Sequence, residues 1–494
     1  MKRNESSYLD VFKSTSLFGS LQLLTMIVAI VRSKFVAVLL GPEGMGINGL
    51  LSSSTSLIMA FANLGISRSA VKNIAVTSKD GSNKKIVNVA SALISMTWVL
   101  GLFSALLTFI FSGFLSEVSF GTDEFSFAFK WLSISILLSQ LATSYEAVFR
   151  GMHKISMIAA ATLKGSLLGL FISVPIYYVY GVEGLVPSIV LSSLLIYLIN
   201  FYYYRKLNIR TSFLPTAPMV TEGKDMLRMG IILSISSVCI LAESHYVRVF
   251  VRAYGSLEDV GFFNAGIAII NTYFGLFFAS ITMDYYPKLA AAASDNLKAI
   301  KLMIEQSEMT ILIIAPFLVL FLVFIRPIVI ILYSEEFLPL VELVLWASVG
   351  MFFKAASYAL GVIFISKGDV KTLFWSEIVS TCVLFGLNLL GYLYYGLEGL
   401  GISFMLSNIY VYLQNYLLVK YRYDFCYSID FLKLFSVILF LGLLAILSVK
   451  LFATPYNFVY GGCVLTITIY YCLIQLDKRI NLFHILQAFI NKRN

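Results

Sequence analysis

Residues Tyr177–Asn200 read YYVYGVEGLVPSIVLSSLLIYLIN, and residues Tyr392–Asn415 read YLYYGLEGLGISFMLSNIYVYLQN. The two stretches match at 12 of 24 positions without a gap, where composition alone gives about three matches. The same offset along the chain aligns Phe149 with Phe364. The chain therefore contains two copies of one structural unit, and its remaining segments can be interpreted around that duplication.

The composition is typical of a helical membrane protein. Of the 494 residues, 59% are hydrophobic and 13% are charged, and the mean hydropathy is +0.86. Apolar runs of 18 or more residues recur along the whole length, as in membrane-spanning helices, whereas membrane barrels have short alternating segments. The polar start at Met1–Lys13 has no cleavage site after it, so no cleaved signal peptide is expected. The five cysteines have no metal-ligand spacing and are interpreted as packing residues.

The apolar runs predict an all-α polytopic protein with about fourteen transmembrane helices. These spans cover residues 14–40, 46–66, 86–115, 126–149, 155–180, 184–204, 228–254, 260–287, 303–325, 338–365, 372–395, 399–419, 431–452 and 456–476. Spans 1–6 and 7–12 are the two copies. They are parallel repeats, because six crossings return the second copy to the starting side of the membrane. Spans 13 and 14 lie outside the repeat.

Four segments follow from this count. We predict an N-terminal six-helix lobe at 1–206, a cytoplasmic linker at 207–227, a C-terminal six-helix lobe at 228–423, and two extra helices with a cytoplasmic tail at 424–494. Two lobes of this kind are typical of transporters that rock around a central cavity.

The basic residues set the orientation. Of 36 Lys and Arg residues, 27 fall in the segments on one side of the predicted spans, and only Lys130, Arg326 and Lys450 fall on the other. Because basic loops stay in the cytoplasm, both termini are predicted to be cytoplasmic. The net charge of +9 is then explained by topology, and no nucleic-acid partner is expected.

Six basic residues lie within the spans. They are Arg32, Lys34, Lys164, Arg248, Arg252 and Lys354. Charges inside a membrane are costly and usually face a polar interior or a substrate pathway. We therefore predict a cationic cavity that binds an anion, with a diphosphate as the best candidate because its oxygens accept bidentate bonds from guanidinium groups. For Arg252 and Lys34, an anchoring role at the interface is an equal alternative.

The stretch Leu241–Tyr254, LAESHYVRVFVRAY, places His245, Arg248 and Arg252 on one helical face. Glu243, His245, Asp284 and Glu377 are candidates for ion coupling or ion pairing. The tyrosine clusters are interpreted as an interfacial belt. No catalytic residue, cofactor site or metal motif is predicted; GPEGMG at Gly41–Gly46 is interpreted as an external turn.

Several stretches resemble one known family. They are LGPEGMGINGL at Leu40–Leu50, DVGFFNAGIA at Asp259–Ala268, ILYSEEF at Ile331–Phe337 and LWASVGMFFKAASYALGVIFISK at Leu345–Lys367. The chain resembles the Wzx-type flippases of O-antigen and related lipid-linked repeat units. The resemblance implies a fold like that of multidrug-and-toxin exporters and lipid II flippases, in the inner membrane of a bacterium.

The same resemblance implies the substrate and partners. The substrate is undecaprenyl-diphosphate-linked oligosaccharide, moved from the cytoplasmic to the periplasmic leaflet during lipopolysaccharide or other polysaccharide biosynthesis. The coupling ion is H⁺ or Na⁺, membrane lipids surround the protein, and the protein partners are a polysaccharide polymerase and a chain-length regulator. The resemblance transfers no individual site residue.

Three alternatives remain open from the sequence. A multidrug exporter of the same fold would favour an acidic cavity for cationic drugs, which the basic residues argue against. A lipid II flippase shares the diphosphate anchor of the substrate. A polysaccharide polymerase or ligase would need a large periplasmic loop, and the longest external segment is about a dozen residues around Ser116–Phe125.

Overall fold

The structure is a computed structural model, and it describes residues 2–79, 83–207, 209, 211–213 and 216–480. These residues form α-helices and two short 3₁₀ helices, Gly181–Gly184 and Glu335–Leu340, with no β-strand among them. The α-helices are α1 Lys2–Asn63, α2 Ile66–Lys79, α3 Asn83–Ile110, α4 Ser112–Phe120, α5 Ser126–Gly151, α6 Ile155–Tyr180, α7 Leu185–Arg205, α8 Thr216–Tyr254, α9 Leu257–Ala291, α10 Asn296–Val323, α11 Ile325–Leu332, α12 Val341–Ser366, α13 Val370–Tyr423, α14 Ile429–Leu451 and α15 Tyr456–Ile480.

The predicted number of spans is confirmed. Ten helical runs of the described residues are long and apolar enough to cross a membrane, and three of them are 41, 51 and 54 residues long. Because one crossing needs about 20 residues, each of these three supplies two crossings. Each also bends near its middle, at Gly41, at Gly181 and at Gly396. With the 39-residue α8, the helices account for fourteen spans of a multi-pass membrane protein.

The predicted repeat is confirmed in the backbone. Gly181 has φ 55° and ψ −135°, and Gly396, its counterpart in the second copy, has φ 56° and ψ −135°. Positive φ is available to glycine at little cost, so the shared glycine fixes the same bend in both copies. The fold is therefore two parallel six-helix repeats followed by two C-terminal helices.

A second pair of turns repeats as well. The amide of Lys154 donates to the carbonyl of Phe149 at 2.9 Å, and the amide of Asp369 donates to the carbonyl of Phe364 at 2.8 Å. Both bonds close a helix end around a residue with positive φ, which is a common way to satisfy the last carbonyls. Phe149 and Phe364 are both fully buried, so the two copies share a buried core position as well as a turn.

The described residues form two compact units, 1–261 and 262–494. The buried core of the first includes Val148 and Phe149, and the core of the second includes their counterparts Ile363 and Phe364. Helix α8 belongs to the first unit because it packs against α1, α2 and α3. The predicted lobe boundaries stay a prediction; the linker at 207–227 and the predicted tail lie partly outside the described residues.

Two turns of the first unit contact each other reciprocally. A methyl group on Gly46 would lie 1.9 Å from the carbonyl oxygen of Leu257, and one on Gly261 would lie 1.9 Å from that of Pro42. Leu257 and Gly261 are the counterparts of Pro42 and Gly46 in the repeat. Only glycine permits so close an approach of two backbones, so each copy supplies the glycine that the other needs.

Three short helices were not predicted. Helix α2 is 14 residues long and amphipathic, so it is too short and too polar to register as a span. Helix α3 ends at Ile110, short of the predicted 115, and α4 begins at Ser112. The predicted loop at Ser116–Phe125 is therefore partly helical. Helix α11 likewise begins at Ile325, just after α10 ends.

The turn before α13 carries a testable ion pair. Asp369 accepts a hydrogen bond from the amide of Thr372 at 3.2 Å and lies 2.5 Å from Arg422. Partial burial would raise the pKa of the Asp369 carboxyl, but the bonds from Thr372 and the charge of Arg422 outweigh it and hold the pKa below its usual range. A lowered folded-state pKa stabilises the fold at neutral pH, and that contribution is lost as the pH falls through it.

We expect Asp369→Asn, which can still cap the helix, to cost less than about 1 kcal/mol at pH 7. Asp369→Ala should cost about 1 kcal/mol more, because the cap is lost as well. The check is the thermal midpoint of the detergent-purified protein at pH 7 and at about pH 3.5, below the unfolded carboxyl pKa of about 3.9. The gap between wild type and Asp369→Asn should narrow at the acid pH; a gap independent of pH would contradict the assignment.

Candidate functional site

The polar stretch of α8 lies in the first unit. His245 is buried, and its Nδ1 is 3.0 Å from the Ser53 hydroxyl of α1. Arg248 is half-buried, and its Nη1 donates to the hydroxyl of Ser244 at 2.5 Å and also to the Ser244 carbonyl. Residues four apart lie next to each other on a helix. Ser244 therefore holds the Arg248 guanidinium within the same membrane-spanning helix.

Arg252 lies one turn further along α8. Its guanidinium packs against the backbone of Gly121, where a methyl group would lie 2.2 Å from Nη1. Gly121 has φ 72° and ends α4, so the glycine makes room for the arginine. The Nε atom of Arg252 is buried and has no hydrogen-bond partner within the described residues. A buried N–H without a partner is costly, and an anionic oxygen could satisfy it.

Lys354 lies in the second unit, midway along α12. Its side chain is half-buried, and its Nζ is 5.4 Å from the centroid of the Phe278 ring. One turn later, the hydroxyl of Tyr358 donates to the Phe278 carbonyl at 3.0 Å and also pairs with the Thr282 hydroxyl. Within the part of the chain that the structure describes, Lys354 forms no ion pair. A cation–π contact offsets only part of the cost of an ammonium ion inside a membrane.

The other predicted basic residues differ in setting. Lys164 is exposed, and its Nζ donates to the Tyr203 hydroxyl at 2.9 Å. Tyr203 lies near Arg205 at the basic end of α7, so Lys164 extends toward that end of the helix. Arg32 and Lys34 are both half-buried in α1.

The predicted acidic residues also separate. Asp284 is exposed and pairs with Lys288 at 2.6 Å, one turn along α9. Glu377 is half-buried in α13 and forms no ion pair with any described residue. Glu243 is half-buried in α8. The structure thus brings His245, Arg248 and Arg252 together in the first unit and places Lys354 in the second; their action on one substrate stays a prediction.

One polar cluster was missed by sequence reasoning. In the second unit, the indole Nε1 of Trp346 donates to Glu398 at 2.7 Å, and the Lys450 ammonium lies 3.1 Å from Glu398 and 2.7 Å from Glu342. The Lys450 Nζ is also 5.1 Å from the centroid of the Trp346 ring. The repeat contained a signal for this cluster, because the same tryptophan and glutamate occur in both copies: Trp346 and Glu398 align with Trp131 and Glu183.

Comparisons with known proteins give this architecture a context. Residues 35–342 match the family model described as polysaccharide biosynthesis protein. The lipid III flippase of Escherichia coli strain K12 is 21% identical over 364 residues, which cover 70% of this chain and 82% of that protein. The solved structure of the lipid II flippase MurJ in its inward closed conformation has a TM-score of 0.68 at 14% identity, covering 94% of this chain and 99% of that one. An inward-facing multidrug resistance MATE family transporter has a TM-score of 0.66 at 17% identity, covering 81% and 94%.

Proposed function

This chain belongs to the polysaccharide biosynthesis protein family, and on that premise we propose that it is a flippase rather than an enzyme. Its substrate is an undecaprenyl-diphosphate-linked oligosaccharide, the repeat unit of an O-antigen or a related surface polysaccharide. The substrate moves from the cytoplasmic to the periplasmic leaflet of the inner membrane. The similarity to a lipid III flippase over most of the chain supports a lipid-linked substrate.

Lys354 is the observation that carries the proposal. It lies midway along a membrane-spanning helix. Its ammonium group contacts an aromatic ring, and it forms no ion pair with a carboxylate of the described residues. An ammonium ion in that position has a large desolvation cost, and the contact with the Phe278 ring offsets only part of it. A diphosphate that enters the protein would offset it. In the first unit, Arg248 is half-buried, and the buried Nε of Arg252 has no hydrogen-bond partner among the described residues; guanidinium groups of this kind bind phosphate oxygens.

The proposed mechanism gives these groups the following roles. The basic side chains bind the diphosphate while the site is open to the cytoplasm, and the glycan follows the head group. Alternating access then opens the site to the other side, where the head group and glycan are released. Transport is coupled to a gradient of H⁺ or Na⁺, and Glu243, His245, Asp284 and Glu377 are the titratable candidates for that coupling. Helices α14 and α15 guide the polyprenyl tail of the substrate along the lipid-facing side of the protein.

The proposal is tested with the purified protein in liposomes. A fluorescent undecaprenyl-diphosphate oligosaccharide is placed in one leaflet, and its exchange is followed by quenching from outside under no gradient, a proton gradient and a sodium gradient. We expect exchange to exceed that of protein-free liposomes and to accelerate under one of the gradients. A folded protein that moves no lipid under any of the three conditions would overturn the proposal.

Two other substrates can be tested with the same liposomes. Lipid II carries the same diphosphate anchor. If unlabelled lipid II at equal concentration inhibits exchange of the labelled lipid, the site recognises the diphosphate anchor and not the glycan. Transport of a cationic drug with no lipid exchange would indicate a multidrug exporter. The basic residues within the spans disfavour that second outcome, because they repel cations.

A further inference from the structure

The second unit contains a complete binding site for an ammonium ion. The Lys450 ammonium of α14 contacts Glu342, Glu398 and the ring of Trp346. Helix α14 continues along α12, where the ring of Phe435 is 5.3 Å from that of Phe353. A carboxylate pair with an aromatic face is a common arrangement for binding an alkylammonium group.

The first unit repeats this surface without the lysine. Trp131 and Glu183 are the counterparts of Trp346 and Glu398 in the first copy. Glu342 has the apolar counterpart Phe127, but Glu124, in the turn that precedes α5, borders the same cavity. Glu124 and Glu183 are exposed and form no ion pair with any residue that the structure describes. The aromatic face and two carboxylates are therefore present, while the amine is not supplied by the described chain.

The helix face beside them is uncovered in the first unit. Val349 of α12 is 4% exposed, whereas its counterpart Ile134 of α5 is 43% exposed, and Trp131 is 46% exposed. Helix α14 packs against α12 in the second unit, whereas α8, which follows the first copy, packs against α1, α2 and α3. The uncovered face adjoins a cavity of about 580 Å³, which is within the range of ligand-binding pockets.

The cavity has the shape and chemistry of a lipid site. Apart from Glu124 and Glu183, its lining is apolar and aromatic, with Ile47, Leu51 and Val190 among the walls. It lies at the ends of α5 and α7 opposite Arg150 and Arg205, and so at one membrane interface. Lys130, which is exposed and forms no ion pair with any described residue, precedes Trp131 and could meet a phosphate.

We propose that this groove, lined by Glu124, Trp131 and Glu183, binds a membrane phospholipid with a primary ammonium head group. The ammonium takes the position that Lys450 holds in the second unit, and one acyl chain fills the apolar cavity. A zwitterionic aminophospholipid fits better than the lysine of a partner helix, because the apolar lining accommodates an acyl chain and Lys130, the neighbour of Trp131 in α5, adds a positive charge for the phosphate. The site is separate from the transported substrate, so it does not depend on the proposed function.

The test is lipid titration of the detergent-purified protein, followed by native mass spectrometry. The probes are dioleoyl phosphatidylethanolamine, its mono- and dimethylated forms, phosphatidylcholine and phosphatidylglycerol. We expect the ethanolamine lipid to bind at least about tenfold more tightly than the choline lipid, because methylation removes the N–H donors of charge-assisted bonds. The combined variant Glu124→Gln with Glu183→Gln should lose that preference.

Two controls make the result specific. The combined variant Glu335→Gln with Glu336→Gln removes two exposed carboxylates of the second unit and should keep the preference. Val190→Trp fills the cavity without changing a charge and should weaken binding of all five lipids, with the thermal midpoint in detergent confirming that each variant folds. Equal binding of ethanolamine and choline lipids, or a preference that survives loss of both carboxylates, would overturn the proposal.

A partner helix is separated by a second experiment. A photo-crosslinking amino acid at Ile134, illuminated in native membranes, should give an adduct with the mass of a phospholipid. A protein adduct in its place would mean that a partner protein covers this face, as α14 covers the equivalent face of the second unit, and the lipid assignment would be wrong.

Discussion

Lys354→Met is expected to reduce lipid exchange about 100-fold, since the loss of one partner of a desolvated charge pair costs about 3 kcal/mol. The same substitution should leave the thermal midpoint of the substrate-free protein unchanged or raise it. Lys354 forms no ion pair with the described residues, and its ammonium meets the Phe278 ring. Replacing an uncompensated charge with an apolar side chain of similar volume removes a desolvation cost. Opposite changes in transport and stability are the mark of a group kept for function.

The measurement is the liposome exchange assay beside a thermal melt in detergent. Lys354→Arg keeps the charge and should retain part of the transport. Lys371→Ala is the matched control, because Lys371 is exposed at the start of α13 and its loss should change neither quantity. If Lys354→Met transports normally, the ammonium does not bind the substrate; if it unfolds the protein, Lys354 has a structural role and the cationic site must rest on Arg248 and Arg252.

The repeat could be predicted from the sequence because its bends require particular residues at the same positions in both copies. A bend with positive φ needs glycine, so the pair Gly181 and Gly396 marks the same turn twice in the amino-acid sequence. The spans were predictable for a similar reason, since a bilayer demands long apolar runs. Helix α2 was not, because its 14 residues satisfy neither requirement and its helicity depends on packing against α5 and α8.

The partners of the charged residues could not be predicted from the sequence. Nothing near Lys164 in the chain indicates that its ammonium reaches Tyr203 of the next helix. His245 finds its partner in Ser53, which lies far away in the sequence. Asp284 and Lys288 are the exception, because a spacing of four residues on a helix brings opposite charges together. Depth in a span therefore selects candidate site residues, but it does not predict what they contact.

The cluster around Lys450 shows how one copy of a repeat can help to interpret the other. Neither Trp131 nor Glu183 was among the site residues predicted from the sequence. Their counterparts Trp346 and Glu398 bind the Lys450 ammonium, and this gives the first pair a chemical interpretation. The difference between the copies is that α14 packs against α12 in the second, while Trp131 and Ile134 are exposed in the first. This difference depends on the tertiary structure and could be recognised only there.

Gly46→Ala is expected to destabilise the protein by about 3 kcal/mol, the upper range for overpacking a closely fitted contact. The added methyl group would lie 1.9 Å from the Leu257 carbonyl oxygen and 2.9 Å from its carbonyl carbon. Neither atom belongs to a flexible side chain, so the two turns must separate. Gly261→Ala should cost as much, because its methyl group would meet the Pro42 carbonyl oxygen at the same 1.9 Å.

The two substitutions break one contact, so their effects should not add. Once Gly46→Ala has separated the turns, Gly261→Ala finds space, and the double variant should be about as stable as either single variant. Gly386→Ala in α13 is the control, since nothing lies within 4 Å of its added methyl group, and it should be neutral or stabilising. The thermal midpoints of the four variants check this. Fully additive losses would mean that the two glycines act at independent sites, and the reciprocal contact between the turns would have to be abandoned.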